Sequence, residues 1–214
     1  MSDHVAHHFD SAEQQFDAAR LGMWLFLATE IMFFGGMFAG YTVYRFLYPA
    51  AFVEGSSHLH LVLGTVNTAV LLLSSLTLAL AVRSAQVNQP QGTVRLLLAT
   101  LLFGVVFLGI KAYEYSEKFA AHHVPGKYFV LGETHNPDVV PGHVELFYSF
   151  YFAMTGCHAL HMIIGIVMVS IVAVKAWQGS YSAEYYTPLE MTGLYWHFVD
   201  IVWVFLFPLL YLIG

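Results

Sequence analysis

The sequence contains five long apolar stretches, and this feature most restricts the folds open to the chain. A helix needs about 20 predominantly apolar residues to cross a bilayer, and backbone polar groups cannot be left unpaired in lipid. The third stretch is short, but it reaches this length by continuing through Lys111 to Glu114. The pattern therefore predicts an all-α polytopic membrane protein with a bundle of five transmembrane helices. The apolar stretches cover residues 21–44, 59–82, 96–110, 146–174 and 191–213.

Composition agrees with this prediction and excludes several classes of function. Charged residues make up only 10% of the chain, whereas soluble domains carry about a quarter. The formal net charge of −6 provides no basic patch, so nucleic acid is not an expected partner. The single cysteine, Cys157, excludes an internal disulfide framework and a Cys-rich metal site.

Two regions are expected, a polar N-terminal arm at residues 1–19 and a transmembrane domain at residues 20–214. Ser11 and Gln14 resemble a capping box, which favours a short interfacial helix within the arm. Four basic residues on one predicted side against three on the other favour a cytoplasmic N-terminus and an outside C-terminus. The helices are expected at about residues 21–47, 59–83, 93–118, 146–176 and 190–213, with an outer loop at residues 119–145.

Histidines are frequent in the outer loop and in the arm, but their spacing matches no zinc-ligand pattern. The loop contains three prolines among its histidines and carboxylates, so contact with a partner is the better prediction for it. A solvated tail is the better prediction for the arm. The histidines concerned are His4, His7 and His8 in the arm and His122, His123, His135 and His143 in the loop.

Glu30 lies about 15 Å along its predicted helix, close to the bilayer midplane. At this depth a carboxyl group must be protonated or paired, because desolvation opposes its charged form. It is either a structural hydrogen-bonding group or a proton-carrying group, and both interpretations remain open. Gly36 and Gly40 on the same helix form a GxxxG pair, which predicts close approach of a second helix.

Polar residues on the last two predicted helices suggest two further contacts. His158 and His161 are three residues apart, and His161 is expected to pair with Glu30 because their depths match. His197 and Asp200 share a helix face and are expected to form a hydrogen-bonded structural pair. Trp196 and Trp203, seven residues apart, are expected to pack or anchor the same helix.

A group of charges ends the third apolar stretch. Glu114 and Lys118 have the favourable order for an i,i+4 pair, so an interfacial ion-pair cluster with Lys111 and Glu117 is predicted. The sequence has no nucleophile–base pair, glycine-rich phosphate loop or zinc signature. The chain is therefore not expected to be catalytic by itself, nor to bind a metal or cofactor of its own.

Five dispersed motifs together resemble the short, five-helix form of subunit III of haem–copper oxidases. The run RLGMWLFLATEIMFFG at residues 20–35 resembles its first helix, and NTAVLLLSS at residues 67–75 its second. YEY at residues 113–115 is similar to the third helix. FYFAMTGCHALHMIIG at residues 150–165 and WHFVDIVW at residues 196–203 are similar to the last two.

The resemblance implies a subunit without haem or copper that flanks the catalytic subunit I, with subunit II as a further partner. It implies bound phospholipid, support of proton uptake and of turnover stability during reduction of oxygen to water, and the bacterial inner (plasma) membrane as location. A cytochrome c oxidase is the expected complex, and a larger respiratory supercomplex is a further candidate association. The matching residues are the buried carboxylate Glu30 and the recurrent positions Glu114, His158, His161, Trp196, His197 and Asp200.

Alternatives remain open at this point. A quinol oxidase subunit III or a nitric oxide reductase accessory protein differs only in its partners. A stand-alone membrane haem protein would use His158, His161 and His197 as ligands, and a small transporter would use Glu30 and Asp200 as substrate or proton sites. Two departures from the family pattern are the long outer loop and Cys157, where an aromatic residue is usual.

Overall fold

The computed structural model describes residues 9–131 and 139–213, and all regular structure in these ranges is helical apart from one isolated β-bridge. Five of the six helices are long and apolar enough to cross a membrane, so the predicted all-α fold with five spans is confirmed. The exception is α2, which is short. The helices are α1 (Ala12–Leu47), α2 (Pro49–Ser57), α3 (Leu61–Gln86), α4 (Pro90–Ala120), α5 (Pro141–Trp177) and α6 (Thr187–Tyr211).

Several helices begin earlier than the sequence suggested. The main-chain N–H of Gln14 donates to Ser11 Oγ at 3.1 Å, and Gln14 Oε1 accepts from the N–H of Asp10 at 2.7 Å. These bonds satisfy donors that a helix start leaves free, so α1 includes residues 12–19 of the expected arm. Pro90 and Pro141 open α4 and α5, where the absent proline N–H costs nothing.

The short helix α2 lies in the connection between α1 and α3, where no helix was predicted. It packs against α1, α5 and α6, and Phe52 is completely buried. A Cβ atom on Gly55 would lie 2.3 Å from the Phe147 ring on α5, so the glycine allows the two helices to approach. His4, His7, His8 and His135 lie outside the described residues.

Helices α3 to α6 form a bundle in which each helix contacts two others of the four, and α1 packs against α5 and α6. Trp196 on α6 fixes the centre of this bundle. A Cβ atom would lie 2.8 Å from the Trp196 ring at Gly104 on α4, and 2.9 Å from it at Gly165 on α5. The indole N–H donates to Ser74 Oγ on α3 at 3.0 Å. One side chain therefore contacts three neighbouring helices.

The end of α6 is bonded to the first two helices. The last carbonyl groups of a helix have no partner within it. Here the Tyr41 hydroxyl on α1 donates to the Leu209 carbonyl, and the Ser56 hydroxyl on α2 donates to the Leu210 carbonyl at 2.8 Å. These bonds hold α1 and α2 against the bundle at one membrane surface.

Candidate functional site

The predicted contact between Glu30 and His161 is present in the structure. His161 Nε2 lies 3.1 Å from Glu30 Oε2, and both side chains are less than a fifth exposed. His161 Nδ1 lies 2.8 Å from the Cys157 carbonyl oxygen, which can only accept, so Nδ1 carries a hydrogen. The contact to Glu30 therefore holds one shared proton, as neutral acid and imidazole or as carboxylate and imidazolium.

Aromatic groups surround this pair. The Phe34 ring lies edge-on to the imidazole with 5.2 Å between ring centres, and Tyr195 donates to the His161 carbonyl at 3.0 Å. Such a low-dielectric setting strengthens a polar contact and makes an unpaired group costly. The pair joins α1 to α5 within an apolar region.

Lys111 and Glu114 form a second buried pair, which corrects the predicted interfacial cluster. Lys111 Nζ donates to Glu114 Oε2 at 3.0 Å and to the hydroxyl oxygens of Tyr151 and Tyr211 at 3.2 and 3.1 Å. Lys111 is 4% and Glu114 1% exposed. The three ammonium hydrogens thus have three acceptors, on α4, α5 and α6.

Glu114 is bonded as fully as the lysine. The Tyr151 and Tyr211 hydroxyls both donate to its Oε1, and its other oxygen accepts from Lys111. The predicted partner Lys118 instead donates to the His58 carbonyl. Burial is the physical reason: Phe107, Lys111, Glu114 and Lys118 form the buried stripe of α4, so these charges face the bundle and not the membrane surface.

His158 lies deeper in the bundle and is 1% exposed. Its ring packs against Phe107 and Trp203, with ring centres 5.5 and 5.2 Å away. Neither ring nitrogen has a hydrogen-bond partner among the described residues. Trp203 donates its indole N–H to Thr68 Oγ1 at 3.0 Å. Trp203 therefore lies at the α3–α6 interface.

The predicted bond between His197 and Asp200 is wrong. His197 Nδ1 lies 2.7 Å from Ser75 Oγ on α3, and both oxygens of Asp200 are without a hydrogen-bond partner in the described chain. The Ser75 hydroxyl also lies close enough to interact with Asp200. A shared face brings two Cβ atoms near one another, but here the imidazole is directed across the interface toward α3.

The predicted packing of a helix onto Gly36 and Gly40 is also absent from the described chain. A Cβ atom at Gly36 would meet nothing within 4 Å, and one at Gly40 would meet only the Phe150 ring, at 3.4 Å. Gly36 lies on the exposed face of α1. The pair therefore brings no second backbone close within residues 9–131 and 139–213.

The three histidines considered as haem ligands do not face a common space. His161 contacts Glu30 on α1, His197 contacts Ser75 on α3, and His158 packs against aromatic rings of α4 and α6. Within residues 9–131 and 139–213, no three His, Cys, Asp or Glu side chains are grouped so that they could hold a metal ion.

One histidine of the loop between α4 and α5 is buried. His123 is 8% exposed, and its Nδ1 lies 3.3 Å from the Tyr148 hydroxyl. Burial, reinforced by the nearby charges of Lys118 and His58, lowers the pKa of His123 to about 4. The loop therefore contacts α5 through a neutral imidazole.

Three bonding partners were not anticipated from the sequence, namely Ser75, Tyr151 and Tyr211. Tyr151 precedes His158 by seven residues on α5, and this spacing places both on one face. Ser75 gave no signal, because serine in an apolar helix commonly bonds its own backbone.

Comparison with known proteins agrees with the resemblance. The family model for cytochrome c oxidase subunit III matches residues 4–214. Cytochrome c oxidase subunit 3 of Thermostichus vulcanus is 32% identical over 95% of this chain and 92% of its own length. The corresponding protein of Synechocystis is 33% identical over 92% and 76%. Cytochrome bo(3) ubiquinol oxidase subunit 3 of Pseudomonas aeruginosa is 30% identical over 98% and 92%. The five-span integral membrane protein described here belongs to the cytochrome c oxidase subunit III family of haem–copper oxidase subunits.

Proposed function

We propose that this chain is the third subunit of a bacterial terminal oxidase that receives its electrons from cytochrome c. The observation that carries the choice of donor is the naming of the two relatives at 32 and 33% identity as cytochrome c oxidase subunits. The chain lies beside the catalytic subunit I and near subunit II, which hold the haem and copper. Oxygen is reduced to water there.

The role of this chain is to stabilise the complex and to support its proton uptake. Two groups of buried polar and charged side chains are paired within the chain, and this supports a role that does not include electron transfer. Glu30 bonds His161, and Lys111 bonds Glu114 and two tyrosines. We assign Glu30, Glu114, His158, His161, His197 and Asp200 to the polar interior, where they hold helices together or hold protons. Trp196 and Trp203 are assigned to helix packing, and Gly36 and Gly40 to lipid packing.

The chain lies in the plasma membrane with its N-terminus in the cytoplasm and its C-terminus outside. The bias of basic residues in the loops supports this orientation. Phospholipid occupies the apolar outer faces, including the face of α1 that carries Leu25, Met32 and Phe46, which are 62, 77 and 85% exposed. Such exposed side chains need lipid or a partner subunit to cover them.

Purification of the chain from native membranes in mild detergent tests this proposal. The expected result is a complex that shows a reduced-minus-oxidised haem spectrum and consumes oxygen with reduced cytochrome c. The chain released from that complex should show no haem spectrum. A haem spectrum that stays with the isolated chain, or a chain recovered without oxidase subunits, would refute it.

A second candidate donor is a quinol. Relatives named as ubiquinol and quinol oxidase subunits match this chain at 30% identity over nearly its whole length. Oxygen uptake by the same purified complex distinguishes the two donors. Uptake with a reduced quinol, and none with reduced cytochrome c, would assign the complex to the quinol oxidases.

A further inference from the structure

A groove runs between α3 and α6 at the membrane surface where α3 ends and α6 begins. Its volume is about 300 Å³. Ala79 and Arg83 are exposed and His197 is half-buried, so the groove opens at the protein surface. We call it the seam groove, and its principal lining residues are Ala79, Arg83, Gln86, Glu190, Gly193 and His197.

Three polar side chains lie at the outer part of the seam groove, whose lining is otherwise mostly apolar. Arg83 and Gln86 lie in the last turns of α3, and Glu190 lies in the first turn of α6. The Oε2 atom of Glu190 is buried and has no hydrogen-bond partner among the described residues. A polar group buried without a partner is costly unless water reaches it.

The inner end of the groove continues toward Asp200. His197 lines the groove, and its Nδ1 lies 2.7 Å from Ser75 Oγ. Ser75 in turn lies close to the Asp200 carboxyl group. Between Gln86 and Ser75 the α3 helix rises about 16 Å, roughly half of the hydrocarbon core. The polar residues therefore reach from one membrane surface to the middle of the bilayer.

Asp200 is the unexplained group at this inner end. It is 3% exposed, and neither of its oxygens has a partner within hydrogen-bond distance in the described chain, so its interaction with the Ser75 hydroxyl is a longer contact. An ionised carboxylate in such surroundings would cost far more than the neutral acid. The buried carboxyl group is thus expected to hold a proton, and the hydroxyl and imidazole beside it can pass protons to water in the groove.

We propose that the seam groove is a proton inlet through which Asp200 exchanges its proton with the membrane surface at which Glu190 and Gln86 lie. Water enters between α3 and α6 as far as His197, and the Ser75 hydroxyl connects that imidazole to the carboxyl group. The proposal goes beyond the oxidase assignment, since it concerns this chain alone and holds for either electron donor.

Infrared spectroscopy of the full chain in phospholipid vesicles tests the inlet. Asp200 is the one aspartate within the five apolar stretches of the sequence. Incorporation of ¹³C-labelled aspartate should therefore shift a protonated carboxyl band, and Asp200→Asn should remove that band. After transfer to D₂O the band should shift again as its proton exchanges. Circular dichroism would establish that each variant remains helical.

An obstructed groove supplies the decisive comparison. Ala79→Phe places a ring at the exposed mouth and should slow exchange about tenfold, because water must then wait for local opening of the helices. Ala79→Leu is a milder obstruction if the phenylalanine variant does not fold. Leu80→Phe is the matched control, since Leu80 is exposed and is not among the residues that line the groove.

The proposal fails on either of two results. An aspartate-labelled sample without a protonated carboxyl band would mean that Asp200 is ionised and has another partner. Equal exchange rates in the wild type, the Ala79 variants and Leu80→Phe would mean that water reaches Asp200 by a different path. The inlet is compatible with either electron donor, so the oxygen-uptake experiment does not test it.

Discussion

His161 Nε2 lies 3.1 Å from Glu30 Oε2 and thereby links α5 to α1 within the apolar part of the protein. α1 packs against the bundle mainly through α5 and α6, so this contact is one of few polar attachments available to it. We expect the hydrogen bond, more than a charge on either group, to be the feature that the fold requires.

Replacement of Glu30 tests this expectation. Glu30→Leu should lower the free energy of unfolding by about 1–3 kcal/mol, because it leaves a buried imidazole without its partner. Glu30→Gln retains a polar side chain for His161 and should lose much less. Thermal unfolding of the purified complex measures both, with the exposed Glu13→Gln as control. Equal losses in the leucine and glutamine variants would contradict the structural role.

The same glutamine variant separates the two roles that remain open for Glu30. If the carboxyl group is mainly structural, initial oxygen turnover should change only modestly, since assembly is retained. A fall by orders of magnitude in a fully assembled complex would place Glu30 in an obligatory proton path. Oxygen uptake per haem gives the result directly.

The buried Lys111–Glu114 pair should be far more sensitive to single changes. Glu114→Gln removes one charge and leaves the Lys111 ammonium buried without a counter-ion, and Lys111→Met does the reverse. Losing one partner of a buried ion pair costs about 3–5 kcal/mol. The double variant Lys111→Met with Glu114→Gln retains an acceptor for the two tyrosine hydroxyls, so it should lose much less than the sum of the single variants. Unfolding measurements on all four proteins form the cycle, and strictly additive losses would show that the charges do not interact.

The close fit of Trp196 predicts a sharp difference between two glycines. At Gly165 a new methyl group would lie 2.9 Å from the rigid indole ring, so Gly165→Ala should destabilise the protein by about 1–3 kcal/mol. Gly109 lies in α4 with nothing within 4 Å of an added Cβ atom. Gly109→Ala should be neutral or stabilising by up to about 1 kcal/mol, because alanine favours the helix. Comparable thermal midpoints for the two variants would show that Trp196 can move aside.

Hydropathy predicted the number of spans because lipid imposes length and composition on each of them separately. Depth along a helix was sufficient to pair Glu30 with His161. The partner of Glu114 was harder to predict, since Lys111 and Lys118 both lie within reach on the same helix. Its choice depends on which face of α4 the tyrosines of α5 and α6 cover.

The remaining errors have similar causes. The spacing of His197 and Asp200 permits a contact but does not force one, and Ser75 on another helix binds the imidazole instead. The helix α2 has only nine residues and depends on tertiary packing, which local sequence does not encode. In both cases the deciding residues are distant in sequence.

The pH dependence of stability should report on His123, which lies beyond the end of α4. Burial, together with the charges of Lys118 and His58, lowers its pKa to about 4 from the ordinary value of 6.5. Between these two values the unfolded chain binds a proton at this side chain and the folded chain does not. The unfolding free energy should therefore fall as the pH falls from about 6.5 to about 4, and this contribution should not change above pH 6.5. His123→Gln should flatten that part of the profile, measured as the thermal midpoint against pH.

His60→Gln is the control, at a more exposed histidine whose side chain is 53% accessible, and it should keep the slope due to His123. An unchanged slope in His123→Gln would mean that other groups cause the acid sensitivity.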